Sequence, residues 1–226
     1  MSSGQVIAIL GAESSGKTTL AAALAARLGH ETGLACTAVP EYLREWCDRT
    51  GRTPRAEEQA HVLAEQRRRI EAAAQVHEVV VADTTPLMTA VYSRLVFGDA
   101  SLDETAGRWH AENVAYTLVT ALDLPWQPDG LQRGGPQVRE PVDALLGSLL
   151  AAHRIAWSRV SGAGRTRVDN ALDAVAPLLR GRATPRTGLF SRLAARDAAQ
   201  PAWRWICEKC DVPDCEHAAL RLLQGS

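Results

Sequence analysis

Apolar residues fall along the chain in short blocks, and their spacing alternates between strand-like and helix-like. Val6–Leu10 is a run rich in β-branched residues that stops at Gly11, the pattern of a strand buried on both faces. Leu20–Leu28 has helical composition and predicts a helix ending at Gly29. Ala35–Val39 reads as a second strand, cut by Pro40. Helices are predicted over Tyr42–Asp48 and Pro54–Gln75, the latter with Pro54 near its first turn and Val62 and Ile70 turned inward. Glu78–Ala82 is the clearest buried strand and runs into Asp83; a helix over Pro86–Phe97 follows. Ala115–Leu122 is a fourth strand ending at Asp123. Residues 125–140, rich in proline and glycine, read as a mobile loop. A helix over Val142–His153, a strand over Ile155–Val160 and a helix over Arg167–Leu179 complete the alternation.

Strands alternating with helices predict an α/β fold, a parallel sheet of about five strands with helices on both faces. The predicted organisation is a domain over residues 1–180, an Arg/Ala/Pro-rich linker over 181–202 and a short cysteine-bearing tail over 203–226. No apolar run is long enough to span a bilayer, and the N-terminus lacks a secretory pattern. A formal net charge of −1 removes the usual electrostatic footprint of a nucleic-acid or anionic-membrane binder. Five cysteines, three of them clustered near the end, argue against a secreted disulfide scaffold and for a cytoplasmic protein with a local metal site. Of the 25 basic residues only Lys17 and Lys209 are lysines.

One of those lysines completes a motif. Gly11-Ala-Glu13-Ser14-Ser15-Gly16-Lys17-Thr18 fits the P-loop pattern G-x-x-x-x-G-K-[ST] at every fixed position. Its glycines let backbone N–H groups wrap a β-phosphate, and the helix that follows adds its positive end. Lys17 is expected to bridge the β- and γ-phosphates, the Thr18 hydroxyl to ligate Mg²⁺, and Thr19 to lie against the nucleotide. The dinucleotide pattern G-x-G-x-x-G is absent here, and so is the guanine-reading N-K-x-D. Size and motif together point to a small-molecule kinase.

Such an enzyme needs carboxylates at the carboxyl ends of its strands, where doubly wound sheets bind ligands. Glu41, Asp83 and Asp123 each follow a predicted strand. Asp83, after three valines, is a candidate to hold Mg²⁺ through water, and Glu41 to take the acceptor hydroxyl's proton or hold a ribose. A helix cap or a solvated turn is the plainer role for each. Arg133 and Arg139 are candidate lid arginines that neutralise the transferring phosphoryl group. Trp126, between two prolines, either stacks on a flat ring or anchors its loop to the core.

GAESSGKTT, the Pro40-Glu-Tyr-Leu-Arg-Glu45 segment, the Asp83-Thr-Thr turn and the Asp-Leu-Pro-Trp126…Asp129-Gly…Arg133 loop together resemble the ribosylnicotinamide kinase domain of NadR-type proteins. The resemblance runs over about residues 5–180. It implies transfer of the γ-phosphate of ATP to the 5′-hydroxyl of nicotinamide riboside. It also implies Glu13, Glu41, Tyr42 and Arg44 near the acceptor, Asp83 near Mg²⁺ and the ribose, Trp126 and Asp129 on the substrate, Arg133 in the lid, and Ser161-Gly162 beside the adenine. The H-x-G-H motif of the family's adenylyltransferase domain is absent, so no adenylyltransferase activity is expected.

The tail departs from that pattern. Cys207, Cys210, Cys215 and His217 have the spacing C-x2-C-x4-C-x-H, a Cys3His set suited to a structural Zn²⁺. With four protein ligands such a zinc leaves no open position for catalysis. The tail is also a candidate for binding a protein partner or for self-association. The reading is thus an ATP- and Mg²⁺-dependent kinase acting on a small nucleoside. The alternatives are a kinase for another nucleoside or metabolite, or an ATP-binding regulatory or adaptor protein that uses its zinc tail to hold a partner.

Overall fold

Two strands are buried almost throughout, and the sheet is built around them. In β1 (Gln5–Leu10) every residue after the first is buried, and in β3 (Val79–Asp83) all are. A strand without polar alternation must be covered on both faces and flanked on both sides. The sheet order β2-β3-β1-β4-β5 meets that need, and every pairing is parallel. The edges are β2 (Cys36–Val39) and β5 (Trp157–Val160), where half-buried and exposed residues dominate, while β4 (Tyr116–Thr120) lies inside. On the β5 edge Arg159 pairs with Asp143 and lies over the Trp157 ring, a charged cover that discourages further strand pairing. This computed structural model describes residues 4–128 and 135–179. The expectations for Asp129, Arg133, the 181–202 linker and the Cys207, Cys210, Cys215 and His217 zinc tail lie outside the described residues.

The helices are α1 (Lys17–Thr32), α2 (Tyr42–Thr50), α3 (Gln59–Val76), α4 (Pro86–Phe97), α5 (Asp103–Asn113), α6 (Arg139–Ala152) and α7 (Gly164–Leu179). Parallel crossovers are right-handed, so a change in the direction of travel across the sheet changes the face on which the helix lies. From β1 the chain moves outward to β2 with α1 on one face. It then returns through β3, β4 and β5 with the intervening helices on the other, and α7 comes back to pack on α1. Side chains of β1 divide accordingly. Ala8 and Leu10 join Leu87, Val91, Leu146 and Leu150 in the core beneath α4 and α6. Val6 and Val80 join Ile70 and Trp109 beneath α3 and α5. Ile7 and Ile9, fully buried, alternate to the opposite face.

Several boundaries differ from the sequence expectation. Helix α1 runs through Gly29 and stops at Gly33, which has φ 75° and donates its N–H to the Gly29 carbonyl. An Arg27–Glu31 pair and the Thr32 hydroxyl on the Leu28 carbonyl carry the last turn. Helix α3 starts later than predicted. The Glu58 carboxylate accepts the Arg55 N–H at 2.8 Å, and residues 56–58 form a 3₁₀ turn ahead of the helix. Residues 136–139, expected in a mobile loop, form a 3₁₀ turn and the start of α6. Helix α5 was not predicted at all. Gly107 interrupts its helical composition, and the His153 ring packs where a Cβ would stand, at 2.1 Å, so any larger residue would displace that ring. No helix among the described residues is long and apolar enough to cross a membrane.

Candidate functional site

The β1–α1 turn makes a preformed anion cradle. Gly11 has φ 143°, and a Cβ on it would meet the Thr120 hydroxyl at 2.1 Å; Ser14 and Gly16 also take positive φ, 52° and 78°. The Ser15 and Thr120 hydroxyls lie 2.6 Å apart, and each reaches a main-chain carbonyl, Ala12 at 2.6 Å and Leu10 at 3.1 Å. Lys17 is buried, and its ammonium donates to the Ala12 carbonyl at 2.8 Å. Helix α1 has no side-chain N-cap and no acidic residue in its first turn. The first N–H groups and the positive dipole end of α1 therefore have no side-chain cap and no acid from the first turn against them, an arrangement suited to phosphate.

In front of the loop lies a cavity of about 710 Å³. Ser14, Ser15, Gly16, Lys17, Thr18 and Thr19 line one side of it, Glu41 and Arg44 a second, and Leu124, Pro125, Gln127 and Pro128 a third. The segment after β4 is tied to the phosphate loop, because the Gln127 N–H donates to Ser14 Oγ at 2.8 Å. Arg139, buried at the start of α6, donates to the Leu124 carbonyl at 2.9 Å and so supports the third wall from behind. Glu13 is buried within the loop.

Glu41 stands at the N-terminus of α2, on a turn held by Gln66 of α3. The Gln66 side chain accepts the Tyr42 N–H at 2.7 Å and donates to the Pro40 carbonyl at 3.4 Å, gripping the backbone on both flanks of Glu41. A second pocket beside Glu41, of about 10 Å³ and so no larger than one water, is lined by Gln59, Gln66, Thr84, Met88 and Tyr92 among others. Tyr42 lines neither cavity. Its ring packs under the Arg69 guanidinium, 4.5 Å from the centroid, and its hydroxyl accepts from Arg49 at 3.0 Å.

Asp83 ends β3 in register with Ile9 and is buried, with both carboxylate oxygens inaccessible to solvent. The chain turns sharply after it. Thr84 has φ 70° and donates its N–H to the Ile9 carbonyl at 3.1 Å. The turn is braced by the Thr85 hydroxyl, 2.9 Å from His110 Nδ1, while His110 Nε2 lies 2.8 Å from the Thr117 hydroxyl. Burial, with some help from His153, pushes the His110 pKa down to about 3.

Asp123 does not face the cavity. Its carboxylate accepts from Arg167 at 2.8 Å and from the Gly162 N–H at 2.6 Å. Partial burial raises its pKa, but these two donors outweigh that and hold the carboxyl below the usual carboxylate range. Gly162 has φ 93° and the Ser161 carbonyl accepts from Asn170, so the β5–α7 loop is fixed; neither Ser161 nor Gly162 lines the two cavities. Trp126 lines neither cavity, and its indole N–H is buried without a hydrogen bond among the described residues. Cys47 is buried and Cys36 half-buried, and burial pushes both thiols up to about 11. Among the described residues no group of three or more His, Cys, Asp or Glu is placed to hold a metal.

Gln59, Gln66, Tyr92 and Arg167 were not singled out in the sequence. A signal existed for the two glutamines: both lie on the buried stripe of α3 with Val62, Leu63 and Ile70, where an amide must have a purpose. Arg167 had none, since arginine is the default cation of this chain.

The five-stranded parallel sheet and its phosphate loop define a nucleotide-binding protein with the P-loop kinase fold. A family model described as an AAA domain matches residues 6–167, and the chain belongs to that family. Among solved structures, a NadR protein in complex with NR is 20% identical, with TM-score 0.60 over 82% of this chain and 54% of that one. A NadR protein with NAD and AMP-PNP is likewise 20% identical, with TM-score 0.61 over 82% of this chain and 52% of that one. Thymidylate kinase from Ehrlichia chaffeensis is 14% identical, with TM-score 0.51 over 78% of this chain and 100% of that one. The chain spans about half the length of the NadR chains, and at these identities the likeness is one of fold. No curated protein matches the sequence.

Proposed function

We propose that this protein is an ATP-dependent small-molecule kinase whose acceptor is the 5′-hydroxyl of nicotinamide riboside, giving nicotinamide mononucleotide. The observation that carries the reading is a single cavity with Lys17 and Thr18 on one side and Glu41 on another. That cavity of about 710 Å³ has room for a phosphoryl donor and a hydroxyl acceptor side by side, with a carboxylate on its wall. The fold shared with a NadR protein in complex with NR supports the acceptor class.

Phosphoryl transfer needs positioning and charge neutralisation more than covalent chemistry. Residues 11–19 would wrap the donor phosphates, and Lys17 would leave the Ala12 carbonyl for the β- and γ-phosphate oxygens. Magnesium fits the donor set, because the Thr18 hydroxyl and the buried Asp83 carboxylate are hard oxygen ligands. When bound, it neutralises charge on the triphosphate. Glu41 would accept the hydroxyl proton or orient the ribose, with Glu13 and Arg44 beside it. Arg139 would support the wall that covers the phosphates, and Arg133 would add charge from the lid. Ser161 and Gly162 are assigned to the adenine side, and Trp126 and Asp129 to the nucleoside.

One observation favours a different nucleoside. Tyr42 and Trp126, the rings assigned to the acceptor by resemblance, do not line the cavity. A panel of nicotinamide riboside, the common nucleosides and small hydroxylated metabolites, read by ADP release, separates the two readings. Nicotinamide riboside is expected to give the fastest turnover, and Lys17→Ala to abolish it. Turnover unaffected by Lys17→Ala, or by any acceptor, would sink the kinase assignment.

For the tail we propose a structural zinc on Cys207, Cys210, Cys215 and His217, from their spacing alone. Metal analysis of the purified chain is expected to return about one zinc per chain. A metal-free preparation whose tail resists protease would overturn it.

A further inference from the structure

We propose that Arg167 is a positioning residue that couples the phosphate loop to the β5–α7 loop, so that both halves of the nucleotide site are set by one guanidinium. The inference rests on the nucleotide-site reading above and adds to it a residue that touches neither cavity. Arg167 is 4% exposed. Its Nη1 donates to Asp123 at 2.8 Å and to the Gly162 carbonyl at 2.6 Å. Its Nη2 donates to the Ser15 carbonyl at 2.9 Å and to the Ala121 carbonyl at 3.2 Å. Three loops that follow β1, β4 and β5 therefore meet on one side chain.

Each contact has a consequence for backbone that could face a nucleotide. In a trans peptide the C=O and the following N–H point opposite ways. Holding the Ser15 carbonyl on Arg167 therefore turns the Gly16 N–H to the side away from Arg167. The Gly162 peptide groups are held twice over, the N–H by Asp123 and the carbonyl by Arg167. A planar fork with several N–H donors can serve four acceptors at once, whereas a lysine ammonium cannot match those directions. Asp123 completes the device. It pairs with the guanidinium and, through its second oxygen, fixes Gly162. The Gly162 arm can be cut without the other. Asp123→Asn removes the charge on the Gly162 side and leaves the Arg167–Ser15 contact, while Arg167→Lys loosens both.

Titration calorimetry with ATP and with inorganic triphosphate, which can engage only the phosphate loop, reads the two arms. Asp123→Asn is expected to weaken ATP about tenfold and triphosphate by less than about twofold, and Arg167→Lys to weaken both about tenfold, the scale of one charge-assisted hydrogen bond. Wild-type affinities in both variants would overturn the proposal, as would equal weakening of the two ligands by Asp123→Asn, which marks a merely structural defect. If Arg167→Lys does not fold, the selectivity of Asp123→Asn decides alone. A wild-type chain that binds neither ligand would instead bring down the nucleotide-site reading itself.

Discussion

Thr84 places a β-branched side chain at φ 70°, a backbone region such residues rarely enter and which costs about 1–3 kcal/mol. The turn persists because the Ile9 carbonyl takes its N–H and because Thr85 is braced against His110. That histidine is fully buried between two hydroxyls, and its neutral form satisfies both nitrogens. Its folded pKa of about 3 lies below the ordinary 6.5, so between those values the unfolded chain binds the extra proton. Stability from this group is therefore present above pH 6.5 and is lost as pH falls toward 3, at about 1.4 kcal/mol per pH unit. Urea unfolding at pH 6.5 and 5.0 should show wild type losing about 1.5–2 kcal/mol more than His110→Gln, whose amide can still donate and accept. Parallel pH dependence in the two proteins would exclude the effect. Glu58 and Glu65, held near 2 by their arginine partners, do not blur the comparison, because their contribution is lost only below the usual 4.5.

Among the elements, α3 does two jobs with one stripe. Ile70 and Val62 pack the core, while Gln66 on the same face holds the turn that carries Glu41. Gln66→Leu keeps the shape but leaves the Tyr42 N–H without its acceptor, a loss of about 1–3 kcal/mol in stability. Kinetically it should resemble Glu41→Gln: turnover falls about tenfold while ATP affinity stays within about twofold, as a lost acceptor-side contact requires. A selective loss of ATP affinity in either variant would detach Glu41 from the acceptor. The inner strands were legible within a residue or two because burial on both faces leaves an unbroken apolar run. Helix ends were less so. Gly29 looked like a stop, but local pairs extend α1 to Gly33. The polar composition of α5 hid it, although Ala106, Trp109 and His110 fall on one buried side. The phosphate loop is a local motif and could be read outright. The Arg167 network joins positions 15, 121, 123 and 162, which only the fold brings together.

For the whole molecule, one reversal in strand order organises everything that follows. The chain leaves β1 in one direction and returns in the other, so the loops after β1 and β3 part at their carboxyl ends, where ligands settle in such sheets. The same topology puts Asp83 beside the phosphate loop and Thr120 beneath it. In a chain that uses arginine for nearly every cation, Lys17 stands in that crevice, where a compact point charge reaches between phosphates and a broad guanidinium would not. Helix α1, which begins there, has no side-chain cap on its first turn. A phosphate seated on its first turn would complete the helix, so on the proposed reading the nucleotide is as much a part of the fold as a ligand of it. The resistance of the protein to unfolding and to proteases would then follow the concentration of its own substrate, rising when nucleotide is plentiful and falling when it is scarce.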